Sequence, residues 1–362
     1  MNGLHWRHPN AACLVFLLAL GACSEKSEGL DAATPMSTDS GGDEIDAAMD
    51  ADAAIDGVLG RWTIDWGPVT VSPGSEDTRC VVRRLGNPGT ARIGSIHNQL
   101  GNSSHHLIVY RTSDAEERPE PFACAPFTDT LDPSVGAPLA VTQRAEETIT
   151  LPPGVAFSLD EDQMIRLEFH YINLTDEDQE VRARSTFEAI SPEEFEHEAD
   201  FLFIGNPDIR IPARSRATLG PTFFPLPERL HDVNFFSITG HTHRWGTNMQ
   251  VDTVDAPDGT ATSVYAPSRF LWDEPETVYH DPPFQVAPEG GFSFTCEWNN
   301  LSDRRVGFGE SANNEMCFFW AYYYPSRGAQ VCIHTDAYRG GTDVCCPGDA
   351  LCALLPTFLG EE

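Results

Sequence analysis

The chain has 362 residues, with 55 Asp and Glu against 23 Lys and Arg, and a formal net charge of −32. Such an acidic surface repels phosphate backbones, so the composition argues against nucleic-acid binding. Hydrophobic residues are 41% and aromatic residues 10% of the chain, which is enough for packed cores and excludes disorder throughout. The length fits about two domains with tails, and 29 Gly with 27 Pro favour a loop-rich β protein.

Residues 1–22 have the composition of a signal peptide. The apolar run from Ala11 to Leu20 is too short to cross a bilayer as a stable anchor. The run ends in Leu20-Gly21-Ala22-Cys23, which resembles a bacterial lipobox. That resemblance implies a lipid on Cys23, membrane association through this lipid only, and an extracytoplasmic place at the outer membrane or cell surface. The alternative is an ordinary signal peptide with an incidental cysteine.

Residues 23–57 follow as an acidic segment without aromatic residues. Between residues 24 and 57 there are ten carboxylates and one Lys. A segment of this composition is predicted to be a solvated, self-repelling tether rather than a folded domain. Calcium binding by its Asp residues is the weaker alternative, since no loop geometry is specified.

From Gly60 onwards no segment shows a sustained helical period. Short β-rich runs recur between Gly, Pro, Asn and Asp. In chain order they are Trp62–Trp66, His106–Tyr110, Thr148–Leu151, Ile165–Ile172, Phe201–Ile204, Val233–Thr239, Met249–Val254, Phe292–Trp298 and Met316–Tyr324. The pattern predicts an all-β fold with two tandem antiparallel β-sandwiches of jelly-roll type. We place them at residues 58–195 and 196–330, followed by a Cys-rich tail at 331–362.

Ten cysteines are present, and eight remain once Cys13 in the signal peptide and Cys23 are set aside. An even number outside the cytoplasm suggests four disulfides. A cysteine metal site is the weaker alternative, because CxxC pairs at metal spacing are missing. The eight residues are Cys80, Cys124, Cys296, Cys317, Cys332, Cys345, Cys346 and Cys352.

Two histidine motifs lie in the first predicted sandwich. His105 and His106 open an apolar strand, which is unusual because a buried imidazole needs partners for its nitrogens. His170 shares a strand face with Glu168, while Leu167 and Tyr171 point to the other face. Taken singly, each motif is better explained by ordinary structural histidines than by a metal site.

Two further motifs lie in the second sandwich. His241 and His243 form an HxH pair whose side chains point the same way if the segment is a strand. Met316 lies beside Cys317 in the sequence EMC. A methionine there usually packs in a core, but together with imidazoles its thioether selects copper.

The order HH, HYI, HTH and EMC…YYYP across residues 60–330 resembles the copper type II, ascorbate-dependent monooxygenases. These include peptidylglycine α-hydroxylating monooxygenase and dopamine β-monooxygenase. The resemblance implies two coppers per chain. His105, His106 and His170 match the ligands of the electron-accepting copper. His241, His243 and Met316 match those of the oxygen-activating, catalytic copper.

The same resemblance implies two disulfides, Cys80–Cys124 around the HH motif and Cys296–Cys317 beside Met316. The four C-terminal cysteines have no counterpart in it. Vicinal Cys345 and Cys346 rarely pair with each other, so we expect Cys332 to bond one of them and Cys352 the other.

The candidate substrate-binding residues differ from those of peptide-amidating members. Where those enzymes bind a substrate carboxylate through Arg, Asn and Tyr, this chain has Thr239, Phe318 and Trp320. A carboxylate in an apolar pocket is costly without a partner, so a more hydrophobic or aromatic substrate is expected. Ordinary core packing of Phe318 and Trp320 is an equally good interpretation.

The sequence thus predicts a copper-dependent monooxygenase that hydroxylates an unactivated C–H of a small organic substrate. Its co-substrates would be O2 and ascorbate or a similar reductant, and the protein would be a monomer. One alternative is a non-catalytic copper-binding or electron-transfer lipoprotein of the cell surface. Another is a degenerate sandwich used in adhesion or carbohydrate binding, against which the retention of all six ligand types argues.

Overall fold

A computed structural model describes residues 59–124 and 136–359. It is 57% strand and 3% helix, so the prediction of an all-β fold is confirmed. Within the described residues, no helix is long and apolar enough to cross a membrane. Cys23, which is predicted to carry a lipid, and the predicted acidic tether lie outside the described residues.

Eleven strands up to Glu198 form two sheets. They are β1 (Arg61–Val71), β2 (Glu76–Arg84), β3 (Ala91–Leu100), β4 (Ser104–Thr112), β5 (Arg118–Ala123), β6 (Gly136–Thr142), β7 (Glu146–Thr150), β8 (Val155–Leu159), β9 (Met164–Ile172), β10 (Gln179–Ala189) and β11 (His197–Glu198). One sheet has the order β1-β10-β3-β8-β11, with β7 also paired to β3. The other has the order β5-β2-β9-β4-β6.

These two sheets pack face to face around one apolar cluster. Trp66 on β1 meets Phe169 on β9 edge to face, with ring centroids 4.8 Å apart. The Trp66 Nε1–H also donates to the Arg79 carbonyl on β2 at 3.0 Å, so the buried indole is satisfied on both its apolar and polar sides. A sandwich of this kind follows from the alternation of inward and outward residues along β1 and β10.

The remaining strands form a second set of sheets. They are β12 (Asp200–Gly205), β13 (Arg210–Ile211), β14 (Ser215–Pro225), β15 (Asn234–His241), β16 (Gly246–Val254), β17 (Ala261–Tyr265), β18 (Thr277–Phe284), β19 (Gly291–Asn300), β20 (Val306–Gly307), β21 (Phe318–Tyr324), β22 (Gln330–Thr335) and β23 (Thr342–Cys346). Short 3₁₀ turns span Glu228–Leu230 and Cys352–Leu354, and one helical turn, α1, spans Leu355–Phe358.

A six-stranded sheet, β18-β15-β21-β12-β22-β23, packs on a four-stranded sheet, β14-β19-β16-β17, and β13 pairs with β20. Phe292 on β19 contacts both Phe235 on β15 and Phe319 on β21, at 5.3 and 5.2 Å between ring centroids. The segment set apart from sequence as a Cys-rich tail supplies β23 and most of β22, the last strands of the larger sheet.

Strand β21 is buried on both faces. Phe318, Trp320 and Tyr322 belong to the apolar cluster of the N-terminal sheets, whereas Phe319 and Tyr323 belong to the cluster of the C-terminal sheets. The Val141 N–H on β6 donates to the Tyr322 hydroxyl at 3.2 Å. The near-continuous apolar sequence of β21 fits this double burial, and the strand joins the two halves through an apolar interface.

Four disulfides are present, as predicted. Cys80–Cys124 and Cys296–Cys317 have the pairing that the family resemblance implies. At the C-terminal end the pairs are Cys332–Cys345 and Cys346–Cys352. The two vicinal cysteines therefore bond different partners, which confirms the expectation drawn from disulfide geometry.

Gly205 on β12 is packed under the Phe318 ring. A Cβ at this position would lie 2.0 Å from a Phe318 ring carbon, and that ring is stacked on Phe203 at 4.9 Å between centroids. We expect Gly205→Ala to lower the free energy of unfolding by about 1–3 kcal/mol, because overpacked cores must shift side chains or backbone. Urea denaturation measures this change.

Gly307→Ala is the matched control. A Cβ there meets nothing closer than the Ile209 carbonyl oxygen at 3.5 Å, an ordinary contact. Equal unfolding midpoints for the two variants would mean that the packing of the Phe318 ring does not require a glycine at position 205.

Candidate metal centre

A β-bulge brings the first three histidines together. His106 on β4 is directly opposite His170 on β9, and the register shifts between Ser104 and His106. Adjacent strand residues normally point to opposite faces, but a bulge re-aims one of them. His105 occupies this bulge, and ligand atoms of His105, His106 and His170 all lie within 4.8 Å of one another. All three side chains are buried.

The HTH pair is arranged differently from the sequence expectation. β15 ends at His241, and His243 lies in the following turn, where its carbonyl accepts from the Gly246 N–H. The two imidazoles are nevertheless neighbours, with ring centroids 5.0 Å apart. The expectation of two histidines on one regular strand is therefore wrong, because a turn, and not strand periodicity, brings the rings together.

The two histidine sets lie next to each other. The His105 ring centroid is 5.4 Å from that of His243 and 6.3 Å from that of His241. His106 and His241 are 6.5 Å apart by the same measure. The five imidazoles thus form one continuous buried cluster, which we call the histidine cluster, where the two halves of the protein meet.

Burial sets the charge of this cluster. It lowers the pKa of His105, His106 and His241 well below the ordinary value, and neighbouring imidazoles lower it further. Burial also lowers the pKa of His243 to about 3. These four imidazoles are therefore neutral at pH 7 and keep a lone pair on one nitrogen, as metal ligation requires.

Several ring nitrogens of the histidine cluster lack a hydrogen-bond partner among the described residues. His105 Nε2 and His241 Nε2 are buried and have no hydrogen bond to any residue that the structure describes. His241 Nδ1 lies 2.9 Å from Oε1 of the buried Gln143. An amide oxygen only accepts, so this contact assigns the proton to Nδ1 and leaves the Nε2 lone pair directed away from it. A buried lone pair without a donor fits a metal ligand.

Met316 lies between two fixed neighbours. Cys317 is bonded to Cys296 on β19, and the Glu315 carboxylate holds the HTH turn. The Met316 side chain is itself buried. Imidazoles together with one thioether would form a soft donor set, which suits copper better than magnesium or calcium. The residue types present thus fit the metal that the family resemblance implies.

Glu315 is the acceptor that fixes the turn. Its carboxylate accepts the His243 N–H at 2.9 Å, the Trp245 N–H at 2.7 Å and the Trp298 Nε1–H at 2.8 Å. The residue is fully buried. Burial raises its pKa to about 7, against the opposing effect of these N–H donors.

Glu76 holds the other side of the cluster. Its Oε1 lies 3.0 Å from His170 Nε2 and accepts the Ala312 N–H at 2.9 Å. The hydrogen bond from His170, assisted by that from Ala312, lowers the pKa of Glu76 to about 2 despite partial burial. Glu76 is therefore an ionised acceptor at neutral pH.

The three substrate-binding candidates have different surroundings. Trp320 lies beside the cluster, with its ring 6.0 Å from that of His241. The Thr239 hydroxyl lies 2.9 Å from that of Thr277. Phe318 stacks on Phe203 within the apolar cluster, so its side chain packs in the core. Its backbone lies opposite His241 in the pairing of β15 with β21.

Sequence reasoning missed four supporting residues. Trp272 lies 5.6 Å from His105 between ring centroids, and it is joined by Glu76, Gln143 and Glu315. Only Glu315 carried a local signal, since it precedes Met316. Gln143 and Glu76 lie 98 and 94 residues from the histidines that they contact, so no local pattern could identify them.

Comparison with known proteins finds a family model that matches the C-terminal part of the chain. The family model described as copper type II ascorbate-dependent monooxygenase, C-terminal domain, matches residues 206–339, which include His241, His243 and Met316. No curated protein matches the chain in sequence.

Two similar solved structures are distant. The major capsid protein P2 of bacteriophage PM2 is 8% identical with a TM-score of 0.31, covering 74% of this chain and 99% of that one. The glycosylasparaginase PNGase F of Flavobacterium meningosepticum is 9% identical with a TM-score of 0.35, covering 80% and 100%. Residues 206–339 are therefore similar to the C-terminal domain of the copper type II, ascorbate-dependent monooxygenases.

Proposed function

We propose that the protein is a copper-dependent monooxygenase that hydroxylates an unactivated C–H bond of a small organic substrate, with O2 and an ascorbate-like reductant. The observation that carries the proposal is the histidine cluster, whose buried neutral imidazoles include nitrogens without a hydrogen-bond partner among the described residues. This cluster includes the histidine pair of the domain that matches the copper monooxygenase family.

Two metal sites are proposed. His105, His106 and His170 would hold one copper, and His241, His243 and Met316 would hold the other. Bound copper would supply the electron transfer and oxygen activation that amino-acid side chains lack. The chain itself supplies burial, which keeps water away from the reacting groups, and fixed hydrogen bonds that orient each imidazole.

Gln143 and Glu315 orient the second set. Gln143 holds the His241 ring through Nδ1, which directs Nε2 toward the proposed metal. Glu315 accepts the backbone N–H groups of His243 and Trp245, on both sides of Arg244. These bonds fix the backbone position from which the His243 side chain extends. Because these acceptors are buried, the ligands are preorganised before any metal binds.

The substrate is proposed to be uncharged and apolar or aromatic. Thr239, at the position where amidating enzymes have Arg, lies against Thr277, whose hydroxyl donates to the half-buried Glu147 at 2.7 Å. This corner therefore contains a carboxyl group where a carboxylate-binding enzyme needs a cation. Trp272 and Trp320 flank the cluster and offer apolar ring surfaces.

The location and assembly follow the sequence expectations and are also proposals. The chain would be held at the bacterial envelope by a lipid on Cys23, face an oxidising compartment and act as a monomer. Four disulfides support a place outside the cytoplasm.

A non-catalytic copper-binding or electron-transfer lipoprotein is the second candidate. It is favoured by the contacts that cross between the two halves beside the cluster, Gln143 to His241 and Thr277 to Glu147. Such contacts leave less room for a substrate than two separate sites would, whereas they do not hinder copper storage or electron transfer.

Incorporation of oxygen into a product separates these two functions. The copper-loaded protein is mixed with ascorbate and a panel of neutral aromatic, aliphatic and carboxylate-bearing compounds, and hydroxylated product is sought by mass spectrometry under ¹⁸O2. We expect one ¹⁸O atom in a neutral aromatic or apolar product, and no product from His243→Ala. Ascorbate oxidation without product from any compound, at the same rate in His243→Ala, would favour the non-catalytic function.

A further inference from the structure

Glu76 contacts both histidine-bearing halves at once. Its Oε1 lies 3.0 Å from His170 Nε2, and the same oxygen accepts the Ala312 N–H at 2.9 Å. Its Oε2 accepts the Ser311 hydroxyl at 3.1 Å. His170 belongs to the first histidine set, whereas Ser311 and Ala312 begin the segment that leads to Met316. One side chain therefore joins two parts of the site that are distant in sequence.

The contact with Glu76 also determines which nitrogen of His170 faces the cluster. A carboxylate only accepts, so His170 Nε2 carries a proton in this contact. His170 Nδ1 lies 3.3 Å from His106 Nε2, and therefore points into the first histidine set with its lone pair. Metal-binding histidines commonly donate their second N–H to a carboxylate in this way.

From this geometry we infer that Glu76 is a positioning residue, which fixes His170 to bind copper through Nδ1 and fastens the first histidine set to the segment carrying Met316. The inference rests on the proposed copper sites. The connection continues through residues 312–315 to the Glu315 carboxylate, which accepts the His243 N–H at 2.9 Å. A short route of peptide and hydrogen bonds thus links His170 to His243.

The surroundings of Glu76 make it distinct from a surface acid. Its side chain is 21% exposed, and His170 is only 5% exposed. Charge-assisted hydrogen bonds at this depth are stronger and more geometrically specific than exposed ion pairs. Loss of the acceptor would leave the His170 N–H and the Ala312 N–H without their common partner.

The first test uses the metal-free protein. We would record the imidazole nitrogens of His170 by long-range ¹H–¹⁵N NMR in wild type, Glu76→Gln and Glu76→Leu. Wild type is expected to hold the proton on Nε2. Gln keeps an acceptor oxygen and should preserve this tautomer, whereas Leu should shift the ring toward a mixture. An unchanged tautomer in a folded Glu76→Leu protein would overturn the inference.

Hydrogen exchange tests the connection to the Met316 segment. The amide of Ala312 should exchange at least about tenfold faster in Glu76→Leu than in wild type, because its acceptor is gone. In Glu76→Gln, which keeps an acceptor oxygen, the exchange rate should stay closer to that of wild type. Glu180→Leu is the matched control, since Glu180 is an exposed carboxylate on β10 paired with Arg182. The same exchange rate in Glu76→Leu and Glu180→Leu would contradict the fastening role.

Copper binding provides the third measurement. By isothermal titration, Glu76→Leu should bind copper at the first set roughly 10–100-fold more weakly, as is typical when a residue supporting a metal ligand is lost. The Cu(II) EPR spectrum of that set should change as well, with Glu76→Gln close to wild type. If the wild-type protein bound no copper, the proposed function would fail, while the NMR and exchange results would still decide the positioning role.

Discussion

Replacing Glu315 by leucine is expected to destabilise the protein by several kcal/mol and to release the HTH turn. The substitution leaves three N–H donors, two from the backbone and one from Trp298, without their acceptor. Each buried unsatisfied donor costs about 1–3 kcal/mol, and whole domains are stable by only about 5–15 kcal/mol. Urea denaturation should show a large fall in the unfolding midpoint.

Glu315→Gln and Glu297→Leu are the controls. Glutamine keeps one acceptor oxygen and should give an intermediate midpoint, whereas Glu297 is exposed on β19 and its replacement should change little. Equal midpoints for Glu315→Leu and Glu297→Leu would show that the turn does not depend on this carboxylate.

The contribution of Glu315 to the free energy of unfolding is expected to depend on pH. Because burial raises the pKa of Glu315 to about 7 from the model-peptide value of 4.5, the folded state binds more protons than the unfolded state between these values. Stability from this residue therefore falls as the pH rises from 4.5 to 7. The difference in unfolding free energy between wild type and Glu315→Gln should shrink over that range, and a constant difference would contradict the assignment.

Replacing Met316 by leucine is expected to abolish hydroxylation while the fold survives. Met and Leu have similar volumes, so the exchange at this buried position should cost less than about 1.5 kcal/mol. It removes the only soft donor proposed for the second site, and activity should fall by more than roughly a hundredfold, the upper range for loss of a merely supporting residue. X-ray absorption on Cu(I) protein should lose its sulfur scattering.

The control for Met316→Leu is Met249→Leu, at a methionine that is also buried but lies on β16, outside the proposed ligand set. It should retain both activity and sulfur scattering. If Met316→Leu kept wild-type activity, or if Met249→Leu lost it equally, Met316 would be a packing residue and not a ligand.

Sequence reasoning was most successful where the signal was local. Short β-rich runs between Gly, Pro, Asn and Asp predicted the strands, and the number of cysteines predicted four disulfides. The candidate ligand residues were predicted because each lies in a short distinctive motif, such as His105-His106 or His241-Thr242-His243. The family resemblance implied the pairing of Cys80 with Cys124, and the structure contains this disulfide.

The rest depends on contacts that no local pattern contains. The bulge at His105 is a property of the pairing between β4 and β9, so the sequence alone gave no reason for adjacent histidines to converge. The proximity of the two histidine sets depends on packing between β6 and β21, which are far apart in the chain. Glu76 and Gln143 became visible as supporting residues only after that packing was known.

The number of coppers bound per chain tests the proposed two copper sites most directly. The chain without its first 57 residues would be loaded anaerobically with Cu(I), dialysed and analysed for copper per chain. We predict about two in wild type and about one in His241→Ala/His243→Ala and in His105→Ala/His106→Ala, with circular dichroism confirming the β fold in each. A folded, disulfide-bonded wild-type protein that retained little or no copper would contradict the account, as would two coppers remaining in either double variant.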